Sequence, residues 1–217
     1  MSTLSEAQSK ELLAPFGVPF LPEILVSGPS DVAAALGALG VKDRPVAAKL
    51  CGEQLAHKSE RGLVRLGVTG IEQVERVVQD LLDRARPEDR ATGVLLAPMV
   101  AGLREFLVGT ATDPTFGPMV LVGVGGVLAE AFADVSVRLI PVDRFDAHDM
   151  LDRLGNQSLL GPFRGEPAVD RDALVEVILA VSRAAAETAG VVSIDLNPVR
   201  IVDGRPIALD ALVEVEQ

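Results

Sequence analysis

A chain of 217 residues, 48% of them hydrophobic, is long enough to fill one sizeable core or two small ones. Its formal charge of −11, from 20 Lys and Arg against 31 Asp and Glu, sets it against nucleic acid and anionic membranes as nonspecific partners, because both repel an acidic surface. Cys51 is the only cysteine, so no internal disulfide can form; MSTLSEAQSK lacks the basic-then-apolar order of a secretory signal, and the uncharged run 114–129 is shorter than the roughly 20 residues of a membrane helix. A cytoplasmic protein is expected.

In chain order, Ser5 with Gln8 predicts a capping box opening a helix to about residue 16, stopped by Gly17 with Pro19 beyond. Ser30 is expected to cap a second helix over 31–39, closed by Gly40. PVAAKL at 45–50 is a short apolar strand carrying Lys49, whose ammonium needs an anion there; a ligand phosphate or a neighbouring glutamate would serve equally. Residues 51–61 read as loop and 62–68 as strand. Thr69 with Glu72 predicts another capping box, opening an amphipathic helix to about residue 86, before Pro87.

The apolar segment 93–99 should be a central strand, followed by a strand at 104–112 and a turn at Asp113-Pro114. PMVLVGVGGVLAE at 118–130 runs from buried strand into a bend where Gly123, Gly125 and Gly126 serve either close packing or an anion; the spacing is not G-x-G-x-x-G. Asp134, Ser136 and Arg138 alternate and share one strand face. A helix is expected over 144–154, a loop over LLGPFRG, and a long helix to residue 187 capped by Asp170 and ended by Gly190. Strands alternating with helices argue α/β or α+β. Antiparallel pairing of 45–50 with 62–68, and of 93–99 with 104–112, would give two α+β lobes with a cleft between them.

The C-terminal stretch 191–213, VVSIDLNPVRIVDGRPIALDALV, places Asp203-Gly204 between two β-branched runs, a strong signal for a two-residue hairpin. With Val202 opposite Arg205, Asn197 falls opposite Asp210, and Asp195 shares the face of Asn197. Ile194, Leu196, Leu209 and Ala211 would line the core face. Three oxygen-bearing side chains so converged suit a hard cation such as Mg²⁺ beside a nucleotide. A polar rim satisfied by water is the plainer reading, and a three-residue turn with a bulge at Gly204 would send Asp210 to the other face.

Six segments in order resemble the ATP-grasp, or β, component of NDP-forming acyl-CoA synthetases: LSEAQSKELLAPFGVP; PVAAKL with HKSERGLVRLGV; GLREFLVGTATDPTFGPMVLVGVGGVLAEAFADVSVRL; LLGPFRG; DLNPVRI; and LDA. The resemblance implies an α+β ATP-grasp fold, with an N-terminal helix at 1–20 and lobes at 21–96 and 97–217 holding ATP or ADP between them. It implies Lys49 as a contact of the nucleotide phosphates, Pro98, Met99 and Val100 in the hinge that takes the adenine, and Glu105, Gly123, Gly125 and Gly126 in the nucleotide site. Asn197 and Asp210, with Asp195 beside them, would be the Mg²⁺ ligands. His57 stands where the family relays phosphoryl to and from a histidine of a CoA-binding α-type partner, in an αβ or α₂β₂ assembly. Glu60 stands in place of the usual aspartate of that loop and Leu63 in place of a glycine.

The resemblance therefore implies the nucleotide half of the reaction acyl-CoA + ADP + phosphate ⇌ carboxylate + CoA + ATP, completed only with the partner. Two other functions are compatible with the same motifs. One is a nucleotide-sensing module of the kind attached to some acetyltransferases, which binds without turnover. The other is a carboxylate-amine ligase working through a free acyl phosphate, with no histidine relay.

Overall fold

The computed structural model describes residues 1–217 except 54, 56, 57, 59, 127–133 and 217. The chain divides into two compact units, one of Thr3–Gln8 with Leu21–Val100, the other of Met1–Ser2, Ser9–Phe20 and Ala101–Gln217. The strand Ala91–Pro98 lies whole in the former, so a boundary between 96 and 97 would cut it.

The chain opens with β1 (Ser2–Thr3) and α1 (Glu6–Leu13), continued by a 3-10 turn over Ala14–Phe16 and stopped at Gly17, φ 102°. The capping box forms as the sequence requires: the Ser5 N–H donates to Gln8 Oε1 at 2.9 Å and the Gln8 N–H to Ser5 Oγ at 3.3 Å.

In the unit ending at Val100, β2 (Ile24–Val26), β3 (Val46–Gly52), β4 (Val64–Val68) and β5 (Ala91–Pro98) form a four-stranded sheet in the order β2-β5-β3-β4, with every pairing antiparallel. The helices are α2 (Val32–Ala38) and α3 (Ile71–Asp83). Val74, Val78 and Leu81, spaced at the helical period, meet Val46, Ala48, Leu50, Val94 and Leu96 in the core. The pairing of 45–50 with 62–68 is present, but the segment 93–99 pairs with β3 and β2, not with 104–112. An apolar run alone does not name its partner, and each strand concerned carries one.

Two expected caps are not made. Pro29 starts a 3-10 turn, Pro29–Asp31, ahead of α2, and Asp31 accepts the Ser27 N–H at 3.0 Å, so Ser30 does not cap. Gly70, at φ 83°, takes the N-cap position of α3 and Thr69 turns back to the Gly67 carbonyl, so the Thr69–Glu72 box is absent. That helix ends at Asp83, short of 86.

In the other unit a seven-stranded sheet has the order β1-β11-β9-β6-β7-β8, with β10 also on β9. Its strands are β6 (Glu105–Asp113), β7 (Gly117–Val124), β8 (Val135–Leu139), β9 (Val191–Val202), β10 (Arg205–Ala208) and β11 (Leu212–Val215). Two helices follow β8: α4 (Arg144–Asp152), boxed by Asp143 and Asp146, and α5 (Arg171–Glu187), capped by Asp170 accepting the Ala173 N–H at 3.0 Å. The long helix lies on β6, β7 and β9 and buries Leu174, Ile178 and Val181. No helix among the described residues is long and apolar enough to cross a membrane.

Arg104, one residue before β6, is only 1% exposed. Its Nε donates to Glu166 Oε2 at 3.0 Å, its Nη1 to the Leu159 and Gly161 carbonyls at 3.1 and 2.8 Å, and its Nη2 to the Pro167 carbonyl. The neighbouring Leu103 N–H donates to Glu166 Oε1 at 2.7 Å. One guanidinium thereby pins the whole LLGPFRG loop to the start of a central strand. Arg104→Leu strands that carboxylate and three carbonyls, so urea unfolding should record a loss of about 3–5 kcal/mol. Arg104→Lys, whose single ammonium cannot span the same acceptors, should recover only part of it; full recovery would mean that charge alone holds the loop.

Candidate functional site

Asp203 and Gly204 both take positive φ, 49° and 84°, the primed turn that matches the twist of the flanking strands. Gly204 is also fixed by crowding: a Cβ there would stand 2.8 Å from the Ala168 carbonyl oxygen. The turn is the two-residue one, and a bulge at Gly204 is excluded. Arg205 pairs with Val202 and Ala208 with Val199; beyond the end of β10 the Leu209 N–H donates to the Pro198 carbonyl at 2.9 Å, and β11 resumes with Leu212 opposite Asp195. These pairs bracket Asn197 and Asp210 from both sides in one unbroken register.

The alternation of faces does change along this ribbon. Buried positions run Ile194, Leu196 and then Val199, Ile201 on β9, and Ala208, then Ala211, Val213 on the returning strand. Leu209, expected on the core face, is half-buried, and Ala208 takes the core position instead. Both strands slip at the same level, so pairing survives while Asn197, Pro198, Leu209 and Asp210 all stay out of the core.

Asp195 carries the clearest electrostatic signature. Its carboxyl is reachable by solvent, yet enough protein surrounds it that desolvation, and then the charge of Asp210, push its pKa above the usual carboxylate range. A carboxylate whose pKa is raised partly by the charge of a second one, beside an amide oxygen in register, is a donor set that fits a divalent cation such as Mg²⁺. Among the described residues no group of three or more His, Cys, Asp or Glu side chains is placed to hold a metal. The set here is two carboxylates and an amide.

Glu105 is tied to the glycine bend. Its carbonyl accepts the Gly125 N–H at 2.7 Å, and a Cβ on Gly126 (φ 84°) would lie 3.1 Å from Glu105 Oε2. A Cβ on Gly125 would lie 2.9 Å from the Phe106 backbone, and one on Gly123 2.8 Å from Val135 Cγ2, so close packing already demands these glycines. Across the β6–β9 pairing Glu105 faces Arg200, which donates to it from Nε at 3.1 Å and from Nη2. Just past the bend, Asp134 accepts the Gly155 N–H at 2.7 Å, the Asn156 N–H at 2.9 Å and Asn156 Nδ2 at 2.8 Å. Burial works to raise its pKa, but those three hydrogen bonds together outweigh it and hold the carboxyl below its ordinary value.

In the unit ending at Val100, all seven residues of β3 are buried, and Lys49, 9% exposed, sits between Leu95 of β5 and Val64 of β4. Its Nζ donates to Glu6 Oε1 at 2.7 Å and stands 3.9 Å from Glu23 Oε1. Lys58 donates to the other oxygen of Glu6. Of the two anions weighed for Lys49, the glutamate is present. At the end of β5, Pro98 has no N–H, Met99 donates its own to the Pro45 carbonyl at 3.1 Å, and Val100 follows. His57 lies outside the described residues.

Glu6, Arg104, Asp134 and Arg200 were not singled out as site residues from sequence. The need for an anion at Lys49 was visible, but the residue meeting it is 43 positions away.

The chain matches the sequence profile of an ATP-grasp domain family over residues 1–215. It is 33% identical over 212 residues to the acetate–CoA ligase [ADP-forming] I subunit beta of Pyrococcus furiosus, covering 96% of this chain and 90% of that one. It is likewise 33% identical over 210 residues to acetate–CoA ligase [ADP-forming] I of Archaeoglobus fulgidus, covering 94% of this chain and 30% of that longer one. Among solved structures, acetyl-coenzyme A synthetase 1 of Ca. Korarchaeum cryptofilum, in complex with coenzyme A and Mg-AMPPCP and with its phosphohistidine segment pointing towards the nucleotide binding site, superposes with a TM-score of 0.81 at 27% identity, covering 97% of this chain and 92% of that one.

The raised pKa of Asp195 has a definite sign in stability. Below the ordinary carboxylate range the group is protonated in the folded and unfolded chain alike and contributes nothing; as pH rises, the unfolded chain releases its proton first, so folding loses stability until the raised value is passed. In metal-free buffer with chelator, Asp195→Asn should therefore melt at a higher temperature than the parent at pH 8 and at nearly the same temperature at pH 3. Parallel melting curves across that range would mean that the Asp195–Asp210 repulsion is not felt.

Proposed function

Because the chain belongs to the ATP-grasp domain family, we propose that it is the nucleotide-binding component of an ADP-forming acyl-CoA ligase. Its reaction is acyl-CoA + ADP + phosphate ⇌ carboxylate + CoA + ATP, completed with a CoA-binding partner. The observation that carries this reading is the likeness to an ADP-forming acetate–CoA ligase beta subunit over 96% of this chain and 90% of that one.

Lys49 contacts the nucleotide phosphates from the centre of β3, where a rigid, buried strand fixes the base of its side chain. Asn197 and Asp210, with Asp195 beside them, hold Mg²⁺, and the residues around the end of β5 take the adenine. When bound, the ion supplies positive charge for the oxygens of the transferring phosphoryl. His57 accepts and returns the phosphoryl group; a neutral imidazole is nucleophilic near neutral pH, and the P–N bond it forms is energetic enough to phosphorylate ADP. Glu105, which Arg200 holds by a hydrogen bond, and the glycines at 123, 125 and 126 take part in nucleotide binding.

Calorimetry of ADP with Mg²⁺ on the purified chain tests the binding half. Asp210→Asn, which removes one charged ligand, should weaken the Mg²⁺-dependent part of ADP binding at least tenfold and leave the Mg²⁺-independent part unchanged. Reconstitution with a partner subunit tests the transfer half. His57→Ala should abolish phosphoryl transfer while ADP binding persists, and unchanged turnover would remove His57 from the mechanism. Binding of ADP with no transfer in any reconstituted complex would indicate the nucleotide-sensing module instead.

A further inference from the structure

Glu6 is the most deeply buried acid around Lys49, with its side chain 2% exposed. One of its oxygens accepts from Lys49 and the other from Lys58, so a single carboxylate bridges two ammonium groups. Each member of the trio is held by independent structure. Glu6 is the first residue of α1, fixed by the Ser5–Gln8 box and favoured there as an anion by the exposed N–H groups of the first turn. Lys49 is fixed by a strand paired on both sides. Lys58 is closed against the sheet because the Leu63 N–H donates to the Lys58 carbonyl at 2.8 Å, while Leu63 is buried in the core and its carbonyl accepts the Leu50 N–H at 3.0 Å.

Two ammonium groups converging on adjacent oxygens of one anion form the constellation that also grips the edge of a phosphate, since each lysine acts as a point charge indifferent to what carries the negative oxygen. The carboxylate and a phosphate cannot both sit against Lys49 without repelling each other. We propose that Glu6 is a built-in surrogate for the nucleotide phosphate: it holds Lys49 and Lys58, and a phosphate group competes with it for Lys49. This rests on Lys49 being the phosphate-contacting lysine of the proposed function. Glu6 is then a positioning residue that sets affinity by competition. Its removal tightens binding, whereas loss of a merely structural contact would weaken binding or leave it alone.

The experiment is a double-mutant cycle read by calorimetry with Mg-ADP, inorganic tripolyphosphate and adenosine as separate probes. Lys49→Met alone should weaken ADP and tripolyphosphate at least tenfold; unchanged affinity there would defeat the reading of Lys49 itself, whatever Glu6 does. In the parent background Glu6→Gln, which keeps size and one acceptor oxygen but removes the charge, should tighten both polyphosphates about three- to tenfold and leave adenosine unmoved. In the Lys49→Met background the same change should tighten the polyphosphates clearly less than in the parent, because no Lys49 remains to be released, and equal tightening in both backgrounds would overturn the competition for Lys49. Weaker or unchanged polyphosphate binding by Glu6→Gln, with Lys49→Met still damaging, overturns the surrogate role while sparing the nucleotide site. Should Glu6→Gln fail to fold by circular dichroism, Glu6→Asp, which keeps the charge but shortens its reach, supplies the same comparison, with a smaller tightening expected and no tightening fatal.

Discussion

An ammonium in the middle of a strand whose seven residues are all buried cannot remain there without an anion, because removing it from water costs several kcal/mol that only a close opposite charge can offset. The Lys49–Glu6 contact meets that need and has consequences along the chain. It ties the first turn of α1 to β3, and through the second oxygen of Glu6 it ties down Lys58, the residue after His57 in the sequence. Leu63, buried in the core, donates its N–H to the Lys58 carbonyl at 2.8 Å and so fixes Lys58 from the other side.

The C-terminal ribbon has the opposite electrostatic character. Around Lys49 the protein supplies its own counter-charges, whereas Asp195 and Asp210 are set to repel each other, and the pKa of Asp195 rises for that reason after desolvation. Groups that serve only the fold are ordinarily arranged to satisfy one another, as Arg104 satisfies Glu166 and three carbonyls, and as Asp134 is satisfied by Gly155 and Asn156. Two carboxylates placed where one raises the pKa of the other are the kind of local conflict expected where a ligand binds. A divalent cation held there, as proposed, would offset the repulsion directly.

What could be read from the sequence divides by distance along the chain. The Ser5–Gln8 box, the Asp170 cap and the Asp203–Gly204 turn are each made within four residues, and all three are present as written. The two expected caps that are not made each lost to another local feature: Pro29 displaced Ser30, and Gly70 displaced Thr69. Contacts that close over tens of residues were not legible, because an apolar strand carries no label for its partner; β5 joined β3 and β2 instead of β6. Of the site, the hairpin register was readable because a two-residue turn determines every pair after it. Glu6 as the partner of Lys49 was not, since the helix bearing it shows only an acidic first turn, as many helices do.

The ribbon also demonstrates why register and face must be argued separately. A slip on one strand alone would have moved Asn197 away from Asp210 and reversed one set of side chains. Because β9 slips at Asn197–Pro198 and the returning strand slips at Leu209–Asp210, the two changes cancel in pairing and add in exposure. The ladder on either side, Val199 with Ala208 and Asp195 with Leu212, anchors the interruption to a rigid sheet. The buried Ile194, Leu196, Ala211 and Val213 fix it from below. Polar groups on such a support are held by backbone pairing rather than by loop conformation, the preorganisation that the proposed metal site would require.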